Sequence, residues 1–334
     1  MTLRNIILIV ALVLVVAGAG LLYLVYQPVT HDNERPVEVP PGTSLRGIAS
    51  ILEDRDIISS ETVFLIMAKL TGNDAHLQSG LYRFPPAMNV LDVLSILSEG
   101  SHQAYVEVTV REGLMLKTIA REVAEQCSFD EDTLLDLMRD RSFIASLGLD
   151  IPTLDGYLLP ETYRIRYDDT ERMFLTRLVQ DVLNVFTPER RRRMESMRRS
   201  MHEILTMASL VEGETRLASE RARVAGVYYN RLRRGMLLQA DPTVQYIIPD
   251  GPRRLLYRDL SINSRYNTYM YAGLPPGPVN NPGTASIIAA LFPESHDYYY
   301  FVADGTGGHR FSRTLDEHQQ AVAAYRKIQR RQRR

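Results

Sequence analysis

The chain has 334 residues, more than a typical single domain, so two or more folded units are expected. With 45% hydrophobic and 24% charged residues, its composition is that of a folded protein and excludes a disordered one. The formal net charge of -1 gives no general attraction to nucleic acid, and the single cysteine, Cys127, excludes an intramolecular disulfide and a multi-cysteine metal site.

The chain begins with a nearly unbroken apolar run without charge, residues 6–26. As a helix these residues would extend about 31 Å, which matches the hydrocarbon core of a bilayer. Residues 1–5, with Arg4, would then be a cytoplasmic tip, and the rest of the chain would lie outside the cytoplasmic membrane. A cleaved signal peptide is the alternative, because residues 17–19 are similar to a cleavage site, but the apolar run continues beyond them. We therefore expect an uncleaved single-pass anchor.

The predicted first folded unit follows a polar linker, residues 27–36, and covers residues 37–105. Its pattern predicts a strand at Val37–Val39, helices near 45–52 and 61–71, and a strand at 81–84. This strand–helix–helix–strand order resembles the small LysM-type fold, which implies binding of N-acetylglucosamine polymers. A scaffold of the same shape without a sugar site is an equal alternative. A further helix over 90–97 should begin at the N-cap Asn89 and stop at Gly100.

A second, larger unit of mixed α+β structure is expected over residues 106–325, followed by a basic tail, residues 326–334, that is expected to be a disordered end. Helical patterns prevail up to about residue 200, interrupted by the loop 154–163. The tyrosines of this loop either border a cleft or pack on the core. Most of the motifs lie in residues 204–318, as two helices, glycine- and proline-rich loops and a β-like run. The whole chain is thus expected to be an α+β protein.

The first of these two helices, over residues 204–215, is apolar and ends in acidic residues. At helical spacing, one face carries Met207, Leu210, Val211 and Glu214. A carboxyl group at the end of an apolar stripe is partly desolvated, so the pKa of Glu214 should rise toward the value that a general acid needs. Glu212 lies near the opposite edge of the stripe, about 90° from its mean direction against about 70° for Glu214. A solvated glutamate at a helix end is the ordinary alternative.

Polar residues after this helix each allow two interpretations. Ser219 is the expected N-cap of the next helix. Near its carboxyl end, Asn230 and Arg231 either contact N-acetyl or carboxylate groups or tie down the following loop. In a polar turn, Asp241 either accepts hydrogen bonds from loop amides or helps to hold a substrate. His309 follows a glycine-rich loop, where an ordinary loop histidine is the alternative to a substrate contact.

A helix that ends in glutamate followed by threonine, here Glu214-Thr215, is similar to the acid-bearing helix of lytic transglycosylases. Further blocks follow in chain order: ASLVEGET at 208–215, VYYNRL at 227–232, LQADPTVQY at 238–246, YNTY at 266–269, GLPPGP at 273–278, NPG at 281–283, YFVA at 300–303 and GGHRF at 307–311. Together with the amino-terminal features, this series resembles the endolytic murein transglycosylases of the bacterial inner membrane over essentially the whole chain.

The resemblance implies cleavage of the bond between N-acetylmuramic acid and N-acetylglucosamine in peptidoglycan, with 1,6-anhydro ends, which terminates or releases nascent strands. It implies glycan strands as substrate, peptidoglycan synthases as partners, and a single-pass location in the cell inner membrane with a periplasmic catalytic domain. Glu214 would act first as acid and then as base, and no cofactor or metal is expected. The residues indicated for substrate binding are Thr215, Asn230, Arg231, Gln239, Asp241, Tyr246, Asn267, Thr268, Tyr269 and His309.

Two other functions fit parts of the same pattern. A muramidase, which is a hydrolase, would pair Glu214 with a second carboxylate such as Asp241 or Glu161. A non-catalytic wall-binding scaffold would depend on the LysM-like unit alone. Pyridoxal-phosphate chemistry needs a lysine within the motif-rich part, and all three lysines lie outside these blocks.

Overall fold

The computed structural model describes residues 3–30, 36–249, 251 and 253–332. The chain divides into two compact units. The first unit consists of Met1–Glu107 and Arg164–Asp169, and the second consists of Val108–Tyr163 and Thr170–Arg334. Most of the predicted linker, residues 31–35, lies outside the described residues.

The first helix, α1 (Leu3–Tyr26), contains the run that the sequence predicted to cross a membrane. In the part of the chain that the structure describes, no helix is long and apolar enough to do so. Near the end of the run, Val25 is only 3% exposed and belongs to the core of the first unit. The predicted transmembrane helix over 6–26 is therefore wrong. So is the single-pass location in the inner membrane, which depended on it. Of the predicted cytoplasmic tip, residues 1–5, the first two lie outside the described residues.

The first unit contains short strands and helices in the order strand, helix, helix, strand, helix. They are β1 (Val37–Val39), α2 (Leu45–Asp54), α3 (Glu61–Leu70), β2 (Gly80–Tyr82) and α4 (Val90–Glu99). The strands are antiparallel, with Val37 opposite Tyr82. Their inward side chains and the apolar faces of the helices form one core, in which Leu52, Phe64 and Leu97 are fully buried. Burial of these apolar faces holds such a small unit together.

The ends of α4 follow from local chemistry. Asn89 caps the helix by accepting hydrogen bonds from the backbone N–H groups of Leu91 and Asp92, and the Asp92 side chain accepts one in return from the Asn89 backbone. This reciprocal capping satisfies N–H groups that a helix start leaves free. Gly100 then ends the helix with a φ of +65°, a conformation that favours glycine. The sequence predicted both ends.

The remaining elements are mainly helices, with two pairs of short strands among them. They are β3 (Tyr105–Thr109), α5 (Leu116–Gln126), α6 (Glu131–Leu137), α7 (Arg141–Ser146), β4 (Thr162–Arg166), α8 (Glu171–Val185), α9 (Pro188–Ser196), α10 (Met201–Glu214), α11 (Ala218–Arg233), α12 (Asp241–Ile247), α13 (Thr284–Leu291), β5 (Tyr300–Ala303), β6 (His309–Ser312) and α14 (Leu315–Gln332). β3 pairs with β4, and β5 pairs with β6. The mixed α+β content is as the sequence predicted. The basic tail does not begin as a disordered end at residue 326, because α14 continues to Gln332.

Helix α10 is the centre of the second unit. All residues from 204 to 211 are buried, so the helix is surrounded on every side and not only along one apolar stripe. Helices α11, α12 and α13 pack around it. The loop 154–163 also packs inward, with Tyr157 and Tyr163 at 2% and 7% exposure. Of the two interpretations of this loop, packing on the core is the one that the structure shows.

Helix α11 starts differently from the prediction. It begins at Ala218, the N-cap position is Leu217, and no side chain caps the helix. Ser219 is therefore not the cap, because it already lies within the first turn. The acidic residue of that turn, Glu220, has another role, described below.

Candidate active site

The carboxyl group of Glu214 lies at the end of the buried helix α10. The helix stops there because Thr215 adopts an extended conformation, with φ of -140° and ψ of 133°. The Thr215 hydroxyl accepts a hydrogen bond from the backbone N–H of Leu217 at 3.1 Å, which fixes the turn into α11. Since residues 204–211 are held by the core, the position of Glu214 is set by the most tightly packed part of the unit.

Glu214 is paired with a tyrosine from the next helix. The Tyr228 hydroxyl donates a hydrogen bond to Oε1 of Glu214 at 2.8 Å, and Tyr228 is only 1% exposed. Burial and the neighbouring carboxyl group raise the pKa of Tyr228 well above 10, so it remains a donor at neutral pH. The sequence analysis gave Tyr228 no role, although it lies in the VYYNRL block at 227–232.

Burial raises the pKa of Glu214 to about 7. The negative charge of Asp241 raises the pKa as well. The Tyr228 hydrogen bond, the positive charge of Arg231 and the backbone N–H of Asp241 lower it, but they do not cancel the effect of burial. A carboxyl group with a pKa near the working pH can both donate and accept a proton at little free-energy cost. Such a shifted value is typical of groups that take part in catalysis.

Glu214 opens into a cavity of about 280 Å³, the catalytic cavity. Six residues predicted from the sequence line it, namely Glu214, Arg231, Gln239, Asp241, Tyr269 and His309. Four further lining residues were not predicted: Phe301, Val302, Ala303 and His318. The first three lie on β5, within the YFVA block at 300–303, although the sequence analysis assigned them no contact with substrate. His318 lies on α14, far along the chain from Glu214, and belongs to none of the blocks. The cavity combines polar groups with an aromatic ring, as sugar-binding sites commonly do.

A second carboxylate, that of Asp241, lies in the same cavity. The Tyr269 hydroxyl donates a hydrogen bond to Oδ1 of Asp241 at 2.5 Å. Asp241 is also the first residue of α12, where the helix dipole stabilises a negative charge. Burial and this partner raise the pKa of Tyr269, so the phenol remains protonated and keeps donating.

His309 is held by Glu220. One oxygen of Glu220 lies 2.7 Å from Nδ1 of His309, and the other accepts the backbone N–H of His309 at 2.9 Å. This explains why an acidic residue occupies the first turn of α11. A further histidine, His318, stacks on Tyr300 with ring centroids 5.3 Å apart, and burial lowers its pKa. Among the described residues, its Nδ1 has no hydrogen-bond partner.

The other predicted substrate residues do not line the catalytic cavity. Thr215 lines an adjoining cavity that also touches Glu214 and His309. Asn230 donates to the backbone oxygens of residues 296 and 298. Asn267, which is fully buried, donates to the backbone oxygens of residues 260 and 262. Side chains of this kind hold loops in place.

Thr268 and Tyr246 are also hydrogen-bonded within the protein. The Thr268 hydroxyl accepts the backbone N–H of Ala240 at 2.9 Å, next to the cavity residues Gln239 and Asp241. The Tyr246 hydroxyl donates to Asp155 at 3.1 Å. Arg231 both lines the catalytic cavity and donates hydrogen bonds to the backbone oxygens of Leu238 and Tyr299. The alternative of tying down a loop therefore applies to several of these residues.

The structure distinguishes the roles of Glu212 and Glu214, which their spacing along the helix could not do. Glu212 accepts hydrogen bonds from Arg221 at 3.3 Å and from the backbone N–H of Gly283 at 3.1 Å. Its side chain is 6% exposed, and it does not line the catalytic cavity. Glu212 thus ties α10 to α11 and to the loop before α13, while Glu214 faces the cavity. In the described part of the chain, no group of three His, Cys, Asp or Glu residues is arranged to hold a metal ion.

Comparisons with known proteins agree on one family. The model of the YceG-like family matches residues 37–324. A Bacillus subtilis protein described as an endolytic murein transglycosylase is 35% identical over 328 residues, which cover 93% of this chain and 91% of that protein. A Streptococcus pneumoniae protein of the same description is 29% identical, and the match covers 89% of this chain and 60% of that longer protein.

A solved structure is similar as well. The crystal structure of a yceG-like protein from Listeria monocytogenes has a TM-score of 0.60 and 35% sequence identity to this chain. The match covers 85% of this chain and 97% of the other. The similarity in sequence and the similarity in structure therefore extend over most of the chain.

Proposed function

The chain belongs to the YceG-like family, and on that premise we propose that it is an endolytic murein transglycosylase with Glu214 as its single acid/base residue. Its curated relatives carry that activity in their names. The observation that supports the role of Glu214 is the pKa of about 7 on a carboxyl group that faces a polar cavity. Peptidoglycan glycan strands are the substrate.

The first step is protonation of the leaving group. Glu214 is protonated in a large fraction of molecules at neutral pH, because its pKa is about 7. It donates this proton to the glycosidic oxygen between N-acetylmuramic acid and N-acetylglucosamine, and the C1–O bond breaks. Asp241, also in the cavity, carries a negative charge that can stabilise the positive charge developing at C1.

The second step returns the proton. Glu214, now a carboxylate, removes the proton from the C6 hydroxyl of the same muramic acid, and this oxygen forms a bond to C1. The product has a 1,6-anhydro ring, and no water is consumed. The Tyr228 hydrogen bond stabilises the carboxylate between the two steps. One residue can do both tasks because its pKa lies near the working pH.

The surroundings of the catalytic cavity fit a long substrate. One adjoining cavity is lined by Glu214, Thr215 and His309. A further cavity shares Asp241 and Tyr269 with the catalytic cavity. A glycan strand that continues beyond the cleaved bond needs such additional room, which supports endolytic cleavage.

The test is digestion of purified peptidoglycan sacculi followed by mass spectrometry of the fragments. We expect wild-type protein to release fragments with anhydro ends, which are lighter than reducing ends by one water. Glu214→Gln keeps the shape but cannot donate the proton, so release should fall at least about a hundredfold. Glu195→Gln, an exposed glutamate on α9, is the matched control and should cleave normally.

The other possible outcomes of this digestion would each indicate a different mechanism or function. Undiminished cleavage by the Glu214→Gln variant would remove Glu214 from the mechanism. Reducing ends in place of anhydro ends would show a muramidase, for which Asp241 is the available second carboxylate. Binding to sacculi without any fragment release would show a wall-binding scaffold. Termination of nascent strands would place the protein beside peptidoglycan synthases, and co-purification with a synthase tests that part of the proposal.

A further inference from the structure

Another cavity of the second unit is larger than the catalytic one. It has a volume of about 460 Å³ and lies between the segment 111–122 and the start of α12. We call it the arginine groove, because Arg111 and Arg121 both line it. It shares Asp241 with the catalytic cavity, and it also contacts Gly213, the residue before Glu214. A ligand in the groove would thus lie directly beside the reacting bond.

The groove offers one free positive charge. The guanidinium group of Arg111 contacts both oxygens of Glu122 through Nε and Nη2, so its charge is neutralised. Arg121 lies on α5 and is exposed, and among the described residues it has no hydrogen-bond or ion-pair partner. A free guanidinium beside a cavity is suited to a carboxylate, which it can bind through two parallel N–H donors.

The groove also offers a buried acceptor. Asn280 is 5% exposed, and its Nδ2 donates to the backbone oxygen of Ser209 at 2.9 Å. Its Oδ1 has no hydrogen-bond partner within the described residues. A buried polar atom without a partner costs free energy, so such an atom in a cavity wall indicates a ligand that donates a hydrogen bond. The other walls include the apolar side chains of Leu114, Met115 and Val279.

A carboxylate, an N–H donor and small apolar groups occur together in an acidic peptide. In peptidoglycan such a peptide is attached through the lactyl group at C3 of muramic acid, two carbons from the C1 at which the bond is cleaved. We propose that the arginine groove binds the stem peptide of the muramic acid whose bond is cut, and that the enzyme therefore prefers strands that carry peptides. This inference rests on the proposed function and adds the substrate class.

Two variants and one control test the groove. Arg121→Gln removes the free charge at nearly constant size, and Thr118→Phe fills the groove from a half-exposed position on the same helix. Lys117→Gln is the matched control, because Lys117 is an exposed cation one turn from Arg121 that does not line the groove. Each protein is assayed on peptide-bearing glycan strands and on strands whose peptides an amidase has removed.

We expect wild-type protein to have a higher kcat/KM on the peptide-bearing strands. The ratio of the two kcat/KM values should fall about tenfold in Arg121→Gln, the effect of losing one charge-assisted hydrogen bond, and also in Thr118→Phe. Lys117→Gln should keep the wild-type ratio. An unchanged ratio in both groove variants, or an equal loss on both substrates, would overturn the peptide site; the equal loss would mean that the groove holds sugar.

The proposed transglycosylase function can be contradicted independently of the peptide site. If wild-type protein released no anhydro fragments from either substrate, the assigned reaction would be wrong. Calorimetric titration with a soluble disaccharide-peptide would then still decide the peptide site. Binding that Arg121→Gln weakens and Lys117→Gln does not would support the site, and equal binding by all three proteins would remove it.

Discussion

At the scale of single residues, the chemistry depends on opposing effects on one carboxyl group. Burial raises the pKa of Glu214, and the hydrogen bond from the Tyr228 hydroxyl lowers it, so that the pKa is about 7. A buried carboxyl group without a donor would hold its proton too tightly to act as a base afterwards. In the proposed mechanism, the tyrosine therefore sets the working pH range of the enzyme.

Replacement of Tyr228 by phenylalanine tests how far its hydrogen bond lowers the pKa of Glu214. Tyr228→Phe removes the donor to Glu214, so we expect the alkaline limb of the kcat/KM profile to move above pH 7. Tyr229→Phe is the matched control, because it removes a hydroxyl that donates to the backbone oxygen of Ala290 and does not touch Glu214. The measurement is the rate of fragment release across pH. If both variants kept the wild-type profile, Tyr228 would have no influence on the acid.

The sequence could indicate Glu214 but not its partner. Spacing along α10 placed the carboxyl group near apolar residues, which is a local effect. The separation of Glu214 from Glu212 depends on Arg221 and Gly283, which come from other parts of the chain. Likewise, Asn267 and Thr268 were grouped with the substrate residues because compact polar side chains line sugar clefts. In the structure, Asn267 donates to the backbone oxygens of the nearby residues 260 and 262, and Thr268 contacts Ala240, which lies far away in the chain. Neither contact produces a periodic pattern in the sequence.

At the scale of elements, helix α11 has to pass close to a neighbouring loop. Gly226 lies in the middle of this helix, where glycine is ordinarily unfavourable. A Cβ at this position would come 2.5 Å from the backbone oxygen of Glu294 and equally near the His296 ring. The glycine is therefore required for packing, because the backbone cannot move aside as a flexible side chain could.

This close contact of Gly226 determines whether an alanine at this position stabilises or destabilises the protein. Helix propensity alone would make Gly226→Ala stabilising by about 1 kcal/mol. Because the added methyl group meets a backbone atom, we expect destabilisation of about 2 kcal/mol instead. Urea unfolding measures the difference. Ser219→Ala on the same helix is the control and should change the free energy of unfolding by less than about 0.5 kcal/mol, since Ser219 is not a cap. A stabilised Gly226→Ala would contradict this packing.

Elements with local signals were predicted well, and the others were not. Asn89 and Gly100 mark the ends of α4 because capping involves only adjacent residues. The apolar pattern of residues 204–215 predicted a helix, but it could not show that the helix is surrounded, which depends on α11, α12 and α13. The run 6–26 was predicted as a membrane span from length and apolarity alone. Val25, however, packs in a protein core, which no hydropathy pattern reveals.

At the scale of the whole molecule, the raised pKa of Glu214 has a cost in stability. Below pH 4.5 the carboxyl group is protonated in both the folded and the unfolded chain. Between pH 4.5 and about 7 the unfolded chain releases its proton while the folded chain retains it. The folded state binds more protons in this range, so the stability that this group contributes at low pH is lost as the pH rises through about 7.

Glu214→Gln should therefore be the more stable protein at high pH. Glutamine does not ionise, so the variant should gain about 3 kcal/mol relative to wild type at pH 8 and about nothing at pH 4.5. Chemical unfolding of both proteins at the two pH values measures this difference. Glu195→Gln, on an exposed part of α9, should show no such pH dependence. A constant difference between wild type and Glu214→Gln would mean that the acid is not desolvated.

The position of Glu214 on a core helix affects how the enzyme tolerates local motion. Of the residues that line its cavity, Gln239 and Tyr269 lie outside helices and strands, and segments with few buried contacts open at the lowest cost. Residues 204–211 are buried throughout, so Glu214 is attached to a segment that such local openings leave closed. In the proposed mechanism, fluctuations that admit or release a bulky polymer thus leave the proton donor in place.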